Sequence, residues 1–186
     1  MRIIAGDYKG RRLETPRDYS VRPTTDKVKE AMFSILTNDI WGSRVLDLFA
    51  GTGSLGLEAL SRGASECVFA DQSRDSLRII RNNIEHCGAG GKAKVVQGDY
   101  RRVLMSQRKP FDIILLDPPY DKNMLNDCFS LISENHLLNE DGYIIAEHRR
   151  EEELPDVMSG YSKVKERRYG IVVLSIYGCT ADTEVL

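Results

Sequence analysis

The stretch from Val45 to Leu60 constrains this chain more than any other: Val-Leu-Asp-Leu-Phe-Ala-Gly-Thr-Gly-Ser-Leu-Gly-Leu-Glu-Ala-Leu. Val45 to Phe49 is apolar apart from one carboxylate, Ala50 to Gly53 is small, and Leu55, Leu57, Ala59 and Leu60 return at helical spacing. The pattern predicts a strand, a tight turn and a helix. Gly51, Gly53 and Gly56 form G-x-G-x-x-G, which allows a sharp turn, an unobstructed approach to a ligand and close packing of helix on strand. Asp47 then narrows the ligand. A turn that opens a helix attracts a pyrophosphate, but a carboxylate four residues before the first glycine repels one. S-adenosylmethionine suits the site better, since it carries an ammonium and a sulfonium and no phosphate.

With 186 residues, 41% hydrophobic and 29% charged, the chain is expected to form about one soluble domain with a real core. No apolar run approaches membrane-spanning length and no secretory h-region opens the chain, so a cytoplasmic protein is expected. Cys67, Cys87, Cys128 and Cys179 are scattered, and His86, His136 and His148 form no ligand cluster, so no metal is expected. A net charge of -2 argues against indiscriminate coating of nucleic acid while leaving room for a local basic face.

Such a face is offered by residues 1–23, where Arg2, Lys9, Arg11, Arg12, Arg17 and Arg22 outnumber Asp7, Glu14 and Asp18. Ile3 to Ala5 and Arg12 to Glu14 are consistent with two short strands joined through Gly6 to Gly10. A basic hairpin and a solvated, frayed terminus are both compatible with the composition. Thr24 or Thr25 can cap a helix carrying Val28, Ala31, Met32, Ile35 and Leu36 on one side. Lys27 and Lys29 extend the basic character into its first turn, as phosphate grips or as solvated charges.

Strands alternating with helices predict an α/β, doubly wound and mainly parallel sheet of Rossmann-like type, with ligands across the carboxyl ends of its strands. Glu66 to Ala70 ends in Asp71, 20 residues beyond Gly51, the offset of a ribose-binding carboxylate. Lys94 to Gln97 is followed by Asp99, read either as an acceptor for an adenine amine or as a helix N-cap. Phe111 to Leu116 runs into Asp117-Pro118-Pro119-Tyr120. Two prolines end strand pairing and hold a carbonyl-rich corner. Two acceptors, the Asp117 carboxylate and the Pro118 carbonyl, with the Tyr120 ring are what a conjugated nucleobase amine needs in order to pyramidalise, stack and attack a methyl. Stacking is worth roughly 1–3 kcal/mol and offsets much of the cost of base extrusion. Asp141-Gly142 predicts a turn into a strand over Tyr143 to Glu147, Glu151 to Glu153 a solvated helix face, and Tyr161 to Arg168 with Ile171 to Tyr177 a closing antiparallel hairpin around Gly170.

The chain resembles the RsmD-type family of bacterial 16S rRNA guanine-N2 methyltransferases, within the class I S-adenosylmethionine-dependent superfamily. The resemblance rests on Met1-Arg-Ile-Ile-Ala-Gly6, Lys9-Gly10-Arg11, Arg22-Pro23-Thr24-Thr25, Glu30-Ala31-Met32-Phe33, and the Asp47 to Gly56 and Asp117 to Tyr120 motifs. It implies cofactor binding by Asp47, Phe49, Gly51, Thr52, Gly53, Gly56, Asp71, Gln72, Asp99 and Tyr100, and amine orientation by Asp117, Pro118, Pro119 and Tyr120. The basic charge of the N-terminal segment makes Lys9, Arg11, Arg12 and Arg22 the candidate RNA contacts, with a small N-terminal arm expected at 1–23 and the methyltransferase domain at 24–186. The family often has Glu where this chain has the shorter Asp71. The implied substrate is 16S rRNA in an assembling or assembled small ribosomal subunit, with a monomeric enzyme. An adenine-N6 methyltransferase and a non-catalytic dinucleotide-binding module are the alternatives.

Overall fold

The computed structural model describes residues 1–16, 26–119 and 122–180, so Arg22 and Tyr120 lie outside the described residues. The chain order is α1 (Asp26–Ile35), β1 (Arg44–Asp47), α2 (Ser54–Ser61), β2 (Glu66–Asp71), α3 (Arg74–Cys87), β3 (Ala93–Gln97), α4 (Tyr100–Ser106), β4 (Phe111–Leu116), α5 (Lys122–Glu134), β5 (Leu138–Arg149), β6 (Val157–Met158), β7 (Tyr161–Tyr169) and β8 (Val172–Cys179). The strands form one sheet in the order β3-β2-β1-β4-β5-β8-β7-β6. The first five are parallel, and β8, β7 and β6 join antiparallel at the far edge. The expected closing hairpin is β7 and β8, turning at Gly170 in a left-handed conformation.

Alternate residues of each strand feed two cores, as the two-residue period of a strand requires. Val45, Phe69, Ile113 and Ile145 face the core covered by α1, α2 and α3, while Leu46, Val68, Ile114 and Ile144 face the one covered by α4 and α5. The chain winds outward from β1 to β3, then returns to place β4 on the other side of β1. The strand order therefore reverses between β1 and β4, and the crevice outside their carboxyl ends is where an open α/β sheet takes its ligand. Asp47 and Asp117 stand at that crevice.

Three sequence expectations are corrected by the packing. The strand predicted over Tyr143 to Glu147 starts at Leu138, and Asp141-Gly142 is no turn but part of an irregularity within β5, between the Phe111–Leu138 and Ile113–Tyr143 pairs. Gly142 fits there because a Cβ would come within 2.9 Å of the Asn139 and Asp112 carbonyls. Glu151 to Glu153 follow β5 in a turn and irregular chain rather than a helix. The N-terminal strands reduce to a single antiparallel bridge between Arg2 and Arg12, with Ile3 and Leu13 buried in the core beside Val28, Met32 and Phe33. No helix among the described residues is long and apolar enough to cross a membrane, and none of their His, Cys, Asp and Glu side chains form a group of three or more that could hold a metal.

Candidate active site

The turn after β1 is built by glycines with distinct duties. Gly51 and Gly53 adopt φ of 54° and 77°, where a side chain would be strained, and Gly53 donates to the Ala50 carbonyl at 2.6 Å and opens α2. Gly56 is in ordinary helix, but a Cβ on it would lie 2.3 Å from Phe69 Cε1 and 2.7 Å from Cys67 Sγ. Its missing side chain is what lets α2 lie against β2.

Beneath this turn Asp47 is only 2% exposed, and its Oδ2 accepts the Gly56 N–H at 2.9 Å. Burial pushes its carboxyl up to about 7, the Gly56 amide opposes that shift, and the nearby charges of Asp117 and Asp71 add to it. Asp71, at the end of β2, accepts the Gly51 N–H at 2.9 Å through one oxygen and the Ser73 N–H at 2.8 Å through the other. It pins the turn to the neighbouring strand while each oxygen keeps a lone pair for a further donor. Asp117 is half-buried at the end of β4, followed by buried Pro118 and exposed Pro119. Three carboxylates thus gather at the ends of β2, β1 and β4, an arrangement that repels phosphate and favours a cation.

The flanking residues are supports as much as walls. Asp99 Oδ1 accepts the Arg101 N–H at 3.0 Å and caps α4, so the capping alternative is realised on that oxygen. Tyr100 is buried, donates its hydroxyl to Asp127 at 2.7 Å, and stands 5.7 Å from the half-buried Phe49 ring, which it props from the core side. Burial, followed by the Asp127 contact, pushes the Tyr100 hydroxyl up to about 12. Gln72 is exposed between Asp71 and the α3 cap Ser73. The Thr52 carbonyl accepts from Asn83 Nδ2 at 2.9 Å, and its hydroxyl meets Met1 Sδ at 3.4 Å.

Of the basic candidates, Lys9 and Arg12 are exposed on the N-terminal segment. Arg11 is also exposed, yet it donates to the His86 carbonyl near the end of α3 at 2.6 Å and lies over the Tyr8 ring. Lys29 corrects the expectation of a phosphate grip or a solvated charge. Its side chain is wholly inaccessible, its ammonium donates to the Arg2 carbonyl and the Ser54 hydroxyl, and Glu58, equally buried, is 3.6 Å away. Burial draws the Lys29 ammonium below its ordinary range, and Glu58 opposes the shift. The signal for this pair was in the sequence: Glu58 interrupts an apolar helix, and Lys29 falls between Val28 and Met32 on the core-facing side of α1.

A family described as "Conserved hypothetical protein 95" matches residues 1–178. The chain is 41% identical over 180 residues to YlbH of Bacillus subtilis (strain 168), named a candidate rRNA methyltransferase, covering 95% of this chain and 98% of that one. It is 34% identical over 184 residues to the Ribosomal RNA small subunit methyltransferase D of Escherichia coli (strain K12), covering 99% and 92%. Among solved structures, yhhF of Escherichia coli, described as a candidate methyltransferase, superimposes with a TM-score of 0.88 at 34% identity over 97% of this chain and 98% of that one.

Proposed function

The chain belongs to the conserved hypothetical protein 95 family, of RsmD type, and from that premise we propose that it transfers a methyl group from S-adenosylmethionine to the exocyclic N2 amine of a guanine in 16S rRNA. The small-subunit rRNA named for its relatives supports the substrate class. The observation that carries the reading is the gathering of Asp71, Asp47 and Asp117 around a glycine turn at the reversal of strand order. A donor set of carboxylates and open backbone fits a ligand bearing an ammonium and a sulfonium, and Gly51, where a Cβ would meet nothing closer than the Phe49 carbonyl at 4.0 Å, leaves room for it.

When bound, the donor would supply a methyl activated by its sulfonium, its S–C bond breaking as the N–C bond forms, which leaves S-adenosylhomocysteine and releases one amine proton to solvent. The protein's part is orientation and charge. Asp47 holds the turn from below and puts a negative charge under the donor. Asp71 would hold the donor's ribose hydroxyls, and Asp99 and Phe49, the latter propped by Tyr100, would hold its adenine. At the reacting end, the Asp117 carboxylate and the Pro118 carbonyl accept the two N–H bonds of the guanine amine, which turns its lone pair toward the methyl and steadies the positive charge that develops on nitrogen. The aromatic ring that the sequence supplies at Tyr120 is the proposed stacking partner of the extruded base. The exposed Lys9 and Arg12 contact phosphates, Arg22 is a candidate on its sequence position alone, and the substrate is 16S rRNA in an assembling or assembled small subunit.

The test is Asp117→Ala with 16S rRNA as acceptor. Transfer is expected to fall by at least about a hundredfold, in line with removal of one preorganised polar group, while donor affinity by calorimetry falls far less, because Asp47 and Asp71 still face the cation. Unchanged turnover rejects the assignment. Nucleoside analysis of the product decides the base, since N6-methyladenine in place of N2-methylguanine would select the adenine enzyme.

A further inference from the structure

The turn proposed to hold the donor is tied from outside by the N-terminal segment. Ser54, which follows Gly53, accepts from Lys29 Nζ at 3.0 Å, and the same ammonium donates to the Arg2 carbonyl. Glu58, one turn further along α2, accepts the Ile4 and Ala5 N–H groups at 2.8 and 3.0 Å and is closed by Arg62 at 2.8 Å. Thr52, which precedes Gly53, touches Met1, and its carbonyl shares the Asn83 amide with the Glu14 carbonyl, while Asn83 Oδ1 takes the Glu14 N–H at 2.7 Å. The residues on both sides of Gly53 are therefore fastened to residues 1–14, and Lys29, Glu58 and Asn83 are all buried. Buried polar groups of this kind have no water to fall back on, so undocking the segment would strand them.

We infer that residues 1–14 are a clamp on the donor turn, with Lys29 and Asn83 as positioning residues, so that docking of this segment and binding of the donor form one coupled equilibrium. The inference rests on the donor lying against Gly51 and Gly53. The same segment exposes Lys9 and Arg12, so RNA phosphates that engage it bias the donor turn, and by linkage the donor biases the segment toward its RNA-ready form by the same factor.

Hydrogen exchange of the full chain with and without saturating S-adenosylhomocysteine tests this. Amides of residues 50–57 and of residues 3–13 are both expected to slow, by about fivefold or more at the low end of ordinary coupling factors, with β7 amides far less affected. In Asn83→Ala the slowing at residues 50–57 persists and that at residues 3–13 shrinks. Slowing at 50–57 alone overturns the clamp and leaves the donor site standing. Equal slowing in β7 marks global stabilisation and also overturns it. No response at 50–57 removes the donor site and the clamp together.

Discussion

A buried carboxylate that titrates near neutrality makes the Asp47 position sensitive to pH. Its pKa is about 7 in the folded protein against an ordinary 3.8, so the folded state binds the proton more tightly than the unfolded one. The associated stability is fully present below about pH 4 and is lost as pH rises through about 7. At roughly 1.4 kcal/mol per unit this amounts to at most about 4 kcal/mol in the donor-free protein. A cationic donor favours the ionised form, so the sign reverses for binding, and donor affinity is expected to rise about tenfold between pH 6 and pH 8. Calorimetry across that range checks it, and Asp47→Asn should flatten both the affinity profile and the pH dependence of the melting temperature. That Asp47 would matter was legible beforehand, because a lone acid on an apolar strand before a glycine turn is conspicuous. Its bond to Gly56 was hidden, since it depends on how α2 settles on the sheet.

The helix α2 is the element on which the site's geometry turns, and its seat is set by one missing methyl group. Gly56→Ala would drive a carbon into the Phe69 ring and the Cys67 sulfur. Both are buried against the sheet, so the substitution is expected to cost about 1–3 kcal/mol as overpacking, read as a melting transition lowered by roughly 2–4 °C per kcal/mol, with weaker donor binding because the turn moves with its helix. The strands and helices were largely legible, because apolar periodicity and a cap such as Asp99 act within a few residues. β5 was not. Its first residues pair with Phe111 across an irregularity that Gly142 permits, and a sequence reader sees only the Asp-Gly of an ordinary turn.

At the scale of the whole molecule, the N-terminal segment is both core and candidate RNA surface. Deleting it would remove Ile3 and Leu13 from the interior, at roughly 1.5–3 kcal/mol for each side chain, and would release the buried ties to Glu58 and Asn83. Loss of RNA binding on deletion would then report unfolding as much as lost contacts. The cleaner variant is Lys9→Ala with Arg12→Ala, which leaves the core untouched. It is expected to weaken RNA binding and to reduce the slope of log affinity against log salt by roughly 1 to 2, with donor affinity and melting temperature unchanged. The sequence by itself determined the strand, turn and helix of the proposed donor site, the proline corner and the alternation of strands with helices, because glycine conformation, proline rigidity and side-chain period are local properties of the chain. Only the tertiary structure decided that Lys29 meets the Arg2 carbonyl and the Ser54 hydroxyl, that Asp71 braces Gly51, and that residues 1–14 are fastened beside the turn. Those outcomes depend on contacts such as Ile4 with Glu58, 54 residues apart, and Glu14 with Asn83, 69 apart, and contacts that distant are set by packing, which local sequence pattern does not encode.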